Sequence, residues 1–361
     1  MAVVSFLIGL GMVVYVMQAA VRTVILPRAT RVRLSGAVFG AVAVTFRWIA
    51  GRRKSYESQD GILAVIAPVG LLAVPVSWLV LLLVAFGFMF WATDPGLGVD
   101  GAFNLAGSSL TTLGFAAATG LGQQALAFAA ALLGLGVLTL FITYLPSIYS
   151  AFQDRENKVA LLEVRAGSPP SASEMLIRYH NIGWHDELAA EWASWEAWFA
   201  ELEETHTTHL SLPWFRSTDP HRSWVTGAGT ILDTASLWLS ACSGRSGQDR
   251  AAAGLMIRAG YMSLRRVASM YKIPFDPDPV PAGPVAIQRA EFDGAYDALA
   301  SAGIAMYEDR DQAWRDFVGW RVNYEAPLLG LAEMLRAPYA PWTSDRSSLM
   351  STRRGIGSPR T

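Results

Sequence analysis

The sequence predicts an all-α membrane protein with a membrane-embedded helical part and a separate helical region of soluble character. Of its 361 residues, 52% are hydrophobic and only 16% are charged, whereas a soluble domain carries about 25% charged residues. Between Asp60 and Asp154 the only charged residues are Asp94 and Asp100. A water-soluble fold of that length would need a charged surface, so this stretch predicts membrane helices. The chain also lacks strand–helix alternation and a Gly-x-Gly-x-x-Gly motif, which argues against a Rossmann-type nucleotide domain.

Three apolar segments are long enough to cross a bilayer, whose hydrocarbon core of ~30 Å needs about 20 helical residues. They cover residues 3–25, 62–91 and 123–150. The first segment has no basic residues before it and no small-x-small cleavage site, so it is predicted to be a span rather than a cleaved signal peptide.

The distribution of positive charge predicts the orientation of these spans. The connection between the first two spans carries eight basic residues and no acid before Glu57. Positive residues remain on the cytoplasmic side, so the N-terminus is predicted outside and the C-terminus in the cytoplasm. With a composition richer in Arg than Lys, the expected location is a bacterial inner (plasma) membrane. The basic residues are Arg22, Arg28, Arg31, Arg33, Arg47, Arg52, Arg53 and Lys54.

A shorter apolar segment, residues 34–50, lies within this basic connection. We interpret it as an amphipathic helix on the inner membrane face, held near anionic lipids by Arg47, Arg52, Arg53 and Lys54. A short additional span is the alternative. The first part of the protein is then residues 1–60, with one span and this interfacial helix.

The composition changes to that of a soluble helical protein at about Arg155, so residues 154–336 are predicted to form a helical cytoplasmic domain. Helical segments are expected at 171–208, 225–272 and 285–335. Trp192, Trp195 and Trp198 recur every three residues, which favours helix packing over a ligand cage. Residues 337–361 are rich in Pro, Ser and Arg and are predicted to be a disordered tail.

The loop between the second and third spans predicts more structure than a simple connection. Residues 102–110 have helical character, and Thr111-Thr112-Leu113-Gly114-Phe115-Ala116 follows them directly. Non-helical backbone at membrane depth must line water or protein, and its carbonyls can replace the hydration shell of an ion. Residues 61–153 therefore form a predicted module whose loop spans about residues 101–117.

This loop resembles the pore helix and selectivity filter of the potassium-channel superfamily. The residues that carry the resemblance run from Ser108 to Phe115 and are similar to the family patterns Thr-Thr-Val-Gly-Tyr-Gly-Asp and Thr-Leu-Gly-Phe-Gly-Asp. The resemblance implies an outer helix, a pore helix with its filter, and an inner helix. The implied filter residues are Thr111, Thr112, Leu113, Gly114, Phe115 and Ala116.

The wider chain resembles a bacterial two-span ion-channel family with an additional N-terminal span. Leu26-Pro27-Arg28 and the Arg-Ala-Gly-Ser-Pro-Pro-Ser stretch at residues 165–171 carry this resemblance, which covers about residues 3–200. It implies a homotetramer that conducts potassium or other monovalent cations and needs no further cofactor. A helical cytoplasmic domain would gate or assemble it.

Three residues in the third span are expected to bend or pack the inner helix. Gly134 and Gly136 lie where such helices often hinge, and Pro146 lies near the expected inner gate. Close helix packing explains the two glycines equally well.

The filter departs from the family pattern at its outer end. Ala116 and Ala117 stand where the family has Gly and Asp. An alanine forced into a left-handed backbone conformation costs about 1–2 kcal/mol, so Ala116 is expected in an ordinary region. The implied consequence is weak selectivity for potassium. The alternative is a non-conducting descendant of the channel fold that acts as a membrane-anchored sensor or scaffold.

The remaining polar residues predict no enzyme and no nucleic-acid binding. His206 and His209 are three residues apart, which admits a metal site, but surface histidines are the preferred interpretation. The charged and nucleophilic residues form no catalytic pattern, and the net charge of −1 gives no attraction to nucleic acid. The expected partners are further copies of this chain and anionic lipids.

The predicted orientation can be tested by cysteine labelling. In a Cys242→Ala background, Ala2→Cys should react with an impermeant reagent from outside and Met350→Cys only from inside, because the basic connection fixes the first span. Labelling of both positions from the same side would contradict the predicted topology.

Overall fold

The computed structural model describes residues 1–25, 32–184, 187–243 and 247–346. Over these residues the chain is helical, and its one β-feature is an isolated bridge between Cys242 and Met306. Leu26-Pro27-Arg28 and Arg31 lie outside the described residues. The helices are α1 (Ala2–Val24), α2 (Arg33–Ala50), α3 (Tyr56–Leu63), α4 (Ile66–Thr93), α5 (Gly98–Leu110), α6 (Gly120–Ala166), α7 (Ala172–Asn181), α8 (Leu188–Thr208), α9 (Trp224–Ala241), α10 (Gly247–Met270), α11 (Arg289–Ser301), α12 (Arg310–Arg321) and α13 (Glu325–Leu335).

The chain divides into two compact units. The first unit contains Met1–Ala151 together with Thr208–Phe215, and the second contains Phe152–Thr207 and the residues from Arg216 onward. Helix α6 contributes to both, since its residues up to Ala151 belong to the first unit.

Three helical segments are long and apolar enough to span a membrane, as the sequence predicted. Within the described residues they are Ala2–Val24, Tyr56–Thr93 and Gly120–Ala166. Helix α2, which corresponds to the predicted interfacial segment, is not among these candidates. The protein is therefore an all-helical membrane protein by the length and composition of its helices.

The first two apolar helices, α1 and α4, are in close contact. At Gly9 the two backbones are so near that a Cβ atom would lie 2.5 Å from the carbonyl oxygen of Ala85. The Ser5 hydroxyl donates a hydrogen bond to the carbonyl of Phe88 at 3.1 Å. Small residues thus let the two backbones approach, as is common between helices in membranes.

Helix α5 packs on α4 and shares its core. Trp78, Leu82 and Phe86 of α4 are buried in the same cluster as Leu105 and Leu110 of α5. The short helix after the second span is thereby fixed by van der Waals packing against α4, which is the main contact between helices in a lipid environment.

The second unit is built around helix α9. Every residue of α9 is buried, as expected of a helix that is surrounded by others. Trp192, Trp195 and Trp198 are also buried, and Trp192 lies 6.0 Å from the ring centroid of Trp238 in α9. The predicted packing role of the tryptophans is confirmed. The three predicted helical segments are each subdivided, into α7–α8, α9–α10 and α11–α13.

A buried charge cluster links α9 with α12 and α13. The Arg321 guanidinium donates to Asp233 and, at 2.8 Å, to Glu325, and Tyr324 donates to the same Asp233 oxygen at 2.8 Å. Burial raises the pKa of Asp233 to about 6, against the opposing effect of Arg321. Burial also opposes the charge of Arg321, yet its acidic partners hold its pKa above the ordinary value. The pair is therefore ionised at neutral pH.

The prediction that disorder begins at residue 337 is wrong for residues 337–346, while residues 347–361 lie outside the described part. Ala340 and Thr343 are fully buried, and the Ser344 hydroxyl accepts a hydrogen bond from the Ala340 amide at 2.8 Å. The polar composition suggested a solvated tail, but local hydrogen bonds and the packing of Thr343 against Gly229 of α9 hold this segment in place.

Removal of the buried cation should destabilise the second unit. Arg321→Met leaves Asp233 and Glu325 without their shared partner, which should cost about 3–5 kcal/mol. Arg310→Met is the control, because its partner Asp297 is exposed and such pairs contribute about 0–1 kcal/mol. Unfolding of the detergent-solubilised protein followed by tryptophan fluorescence measures both. Equal midpoints would contradict the stabilising role.

Candidate functional site

The candidate pore loop, residues 111–119, lies between α5 and α6 in the first unit. The chain leaves α4 at Asp94, whose carboxylate accepts a hydrogen bond from the Gly96 amide at 2.9 Å. A turn of 3₁₀ helix, Pro95–Leu97, and Gly98 at φ 66° then lead into α5. The predicted short helix at 102–110 is thus present, and it begins four residues earlier.

The start of the loop is folded back onto the end of α5. The Ser108 carbonyl accepts hydrogen bonds from the amides of Leu113 at 3.0 Å and Gly114 at 3.4 Å. The Thr111 hydroxyl donates to the Gly107 carbonyl at 2.6 Å. The loop amides are therefore directed toward the helix.

The backbone of the loop takes two left-handed positions. Thr112 has φ 60° and Gly114 has φ 73°, and this region is readily reached only by glycine among the common residues. Within residues 32–184, the carbonyls of residues 111–115 accept no hydrogen bond. The loop thus offers backbone acceptors that have no partner among the described residues.

The side chains of the loop are exposed on the first unit. Leu113 is 70% exposed and Phe115 is 67% exposed. Apolar side chains in such a position suit contact with lipid or with another copy of the chain.

Ala116 differs from the residues before it. Its amide donates to the buried Ser108 hydroxyl at 3.0 Å, and its carbonyl accepts from that hydroxyl at 3.5 Å. Ala116 is not among the residues with positive φ, as expected of an alanine. Its amide and its carbonyl are therefore both held against α5, whereas the carbonyls of Thr112 to Phe115 accept no hydrogen bond among the described residues.

The C-terminal end of the loop is connected to α6 through Gln123. The Gln123 side-chain oxygen accepts from the Thr119 amide at 2.9 Å and from the Thr119 hydroxyl at 3.1 Å. Gln123 is buried. This contact stabilises the end of the loop that precedes α6.

The two glycines of α6 occupy different environments. A Cβ atom at Gly134 would lie 2.2 Å from the Leu110 carbonyl oxygen, whereas at Gly136 it would meet no atom within 4 Å. Helix α6 continues unbroken through both glycines and through Pro146. The close approach supports the packing interpretation for Gly134, and the open surroundings of Gly136 leave both interpretations available there.

Residues 208–215 contact the end of the first unit that carries Tyr144 and Pro146. His209 Nδ1 lies 3.0 Å from the Tyr144 hydroxyl, and Trp214 packs on Phe39 of α2 with ring centroids 6.2 Å apart. Burial lowers the pKa of His209 below its ordinary value. Burial thus favours the neutral form of His209, which is hydrogen-bonded to Tyr144 of α6.

The preferred interpretation of His206 as a surface histidine is wrong. His206 is fully buried in the second unit, where its Nε2 lies 3.2 Å from Arg155 and its ring packs on Trp224. Helix α8 ends at Thr208, so His209 does not continue its face. Among the described residues, His, Cys, Asp and Glu form no group able to hold a metal ion.

The basic residues after α2 present their charges to solvent. Arg52, Arg53 and Lys54 are exposed, and Arg47 is partly buried. The Arg52 guanidinium lies 3.3 Å from the ring centroid of Trp48, which is itself exposed. An exposed tryptophan beside arginines is typical of a membrane–water interface.

Comparison with family models, with curated proteins and with solved structures found no match to this chain. The potassium-channel resemblance therefore rests on the residues of the loop and its flanking helices.

The sequence did not reveal a role for Ser108, the residue that accepts hydrogen bonds from the Leu113, Gly114 and Ala116 amides. A small hydroxyl residue eight positions before Ala116 carries no distinctive signal, since serine is common near helix ends. Only the fold shows that both its carbonyl and its hydroxyl hold the loop.

The close approach at Gly134 predicts an unequal response to two alanine substitutions. Gly134→Ala places a methyl group against the Leu110 backbone, and overpacking of this kind costs about 1–3 kcal/mol. Gly136→Ala meets open space and should be neutral or slightly stabilising, by up to about 1 kcal/mol. Thermal unfolding in detergent measures both, and equal effects would contradict the packing assignment.

Proposed function

We propose that this protein is a homotetrameric channel for potassium-like monovalent cations. One loop per chain cannot enclose a pore, so several copies around a common axis are required. Four copies are proposed because the loop resembles those of tetrameric channels.

The observation that carries the proposal is that amides of the candidate pore loop are hydrogen-bonded to α5, whereas the carbonyls of its residues 111–115 have no partner among the described residues. The amides of Leu113 and Gly114 donate to the Ser108 carbonyl, while the carbonyls of residues 111–115 accept no hydrogen bond within the described part of the first unit. Rings of such carbonyls replace the hydration shell of a permeant ion. The left-handed positions at Thr112 and Gly114 support this role, because a backbone that alternates its turn can present successive carbonyls to one side.

The proposed filter has fewer sites than the family pattern. The Ala116 carbonyl is close to the Ser108 hydroxyl, so Thr112, Leu113, Gly114 and Phe115 supply the coordinating oxygens. Discrimination between potassium and sodium depends on the number and field strength of these carbonyls. We therefore propose small, weakly selective currents.

Anionic lipids are the proposed environment of the inner membrane face. Arg47, Arg52, Arg53 and Lys54 would contact lipid headgroups, at about 1 kcal/mol per charge. With these residues at the inner membrane face, the second unit would lie in the bacterial cytoplasm, where it would gate or assemble the channel. Gly136 and Pro146 would then lie near the inner gate.

Ion flux into liposomes tests the proposal directly. The purified protein, reconstituted with a potassium gradient, should collapse that gradient when a proton carrier is added, and its mass in detergent should be that of four chains. Absence of flux from a correctly inserted tetramer would contradict conduction, and a monomer in native-lipid nanodiscs would contradict the assembly.

Gly114 should be the most sensitive residue of the loop. Gly114→Ala forces an alanine to φ 73°, which costs about 1–2 kcal/mol in each subunit and should abolish or strongly reduce flux. Gly122→Ala is the matched control, because a Cβ there meets no atom within 4 Å. Equal flux from both variants would show that Gly114 is not part of a filter.

The outer end of the filter can be rebuilt. Ala116→Gly with Ala117→Asp restores the family residues and should raise the potassium preference, because a further carbonyl becomes available. Reversal potentials under potassium and sodium gradients measure the change. Identical permeability ratios in a conducting protein would exclude position 116 from the filter.

One observation favours a second function, that of a non-conducting, membrane-anchored scaffold or sensor. The hydrogen bonds between Ser108 and Ala116 tie the outer end of the loop to its own chain. Absence of flux in both the natural protein and the rebuilt variant would support this alternative.

A further inference from the structure

A polar cavity of about 230 Å³ lies within the second unit, beside the buried charge cluster. Helix α9 lines it with Thr230 and Asp233, and α11 lines it with Glu291 and Gly294. Its other walls come from the start of α7 and from the packed segment after α13, which contributes Trp342. All of these residues belong to one unit, so the cavity is part of a single packed body.

The cavity contains a buried acceptor that lacks a partner. Asp233 is 1% exposed, and its Oδ2 atom makes no hydrogen bond within the described structure. The other oxygen, Oδ1, accepts from both Arg321 and Tyr324. Burial of an unsatisfied carboxylate oxygen is costly, by about 1–3 kcal/mol. A hydrogen-bond donor in the cavity would remove this cost.

The charges near the cavity favour a cation. Arg321 serves two carboxylates, Asp233 and Glu325, and its remaining nitrogen donates to the Trp342 carbonyl. Three of its five N–H donors are therefore committed to this chain. Arg321 is not part of the cavity wall, and the charged side chains that are, Asp233 and Glu291, are acidic, with Arg346 paired to Glu291. Because Asp233 has a pKa of about 6, its carboxylate is negative at neutral pH.

Hydroxyl oxygens and an aromatic ring complete the walls. The Ser171 and Ser173 hydroxyls, both from residues of the cavity wall, lie 3.2 Å apart, so one of them donates to the other. The Thr230 hydroxyl donates to the Thr226 carbonyl at 2.9 Å and thus keeps acceptor capacity. Trp342 supplies a ring on which an organic cation can pack.

We propose that this cavity binds a small organic ammonium compound, with Asp233 Oδ2 as the acceptor for the ammonium group. The inference concerns only the second unit and holds whether or not the first unit conducts ions. Inorganic cations fit less well, because the described residues form no cluster of metal-binding side chains.

Calorimetric titration of the full-length protein in detergent tests the proposal with putrescine as the probe and succinate as an anion of similar length. Putrescine should bind in a saturable manner and succinate should not. Succinate binding as tight as that of putrescine would overturn the proposal. So would the absence of putrescine binding up to about 10 mM, a range that includes millimolar affinities.

A cavity-blocking variant distinguishes putrescine binding in this cavity from binding at other acidic surfaces of the protein. Gly294→Leu adds a side chain at the wall of the cavity, where a Cβ meets no atom within 4 Å, so the fold should be kept. Gly247→Leu is the matched control, because Gly247 is also helical and open but lies outside the cavity. Putrescine affinity should fall about tenfold or more in Gly294→Leu and stay unchanged in Gly247→Leu. Unchanged affinity in Gly294→Leu would place binding elsewhere and overturn the proposal.

Discussion

The structure of the first unit depends on how the backbone amides after α5 are satisfied. Ser108 accepts two of them through its carbonyl and a third through its hydroxyl. In apolar surroundings each amide left without a partner would cost several kcal/mol. Because one residue of the preceding helix satisfies these amides, they do not need the carbonyls of residues 111–115, which accept no hydrogen bond among the described residues. That separation of donors from acceptors makes the loop a candidate ion site.

This loop geometry requires α4, α5 and α6 to be in close contact. Gly134 lets α6 approach the Leu110 carbonyl at the end of α5, and Gln123 joins the start of α6 to Thr119. Apolar contacts with α4 hold the other side of α5. The position of the loop is therefore set by backbone contacts of small residues as much as by the burial of large ones.

The second unit follows a different principle, in which a helix buried on all sides carries a charge in its centre. Asp233 lies on α9, and the other residues of this helix are small, aromatic or aliphatic. Arg321 balances it from α12. Such an ion pair specifies how α9 and α12 pack, because any other register would bury one charge without its partner. The other oxygen of Asp233, a residue of the cavity wall, makes no hydrogen bond within the described structure.

The sequence by itself determined the helical class, the three apolar segments, the short helix before the loop and the packing of the tryptophans, because hydropathy and periodicity are local properties of the chain. Only the tertiary structure revealed the burial of His206, the ordered segment at 337–346, the close approach at Gly134 and the role of Ser108. Each of these depends on contacts between residues that are distant in the chain or on the direction of a backbone group. A serine, a glycine or a histidine has the same local signal in either environment, and the neighbours that the fold supplies decide which environment it occupies.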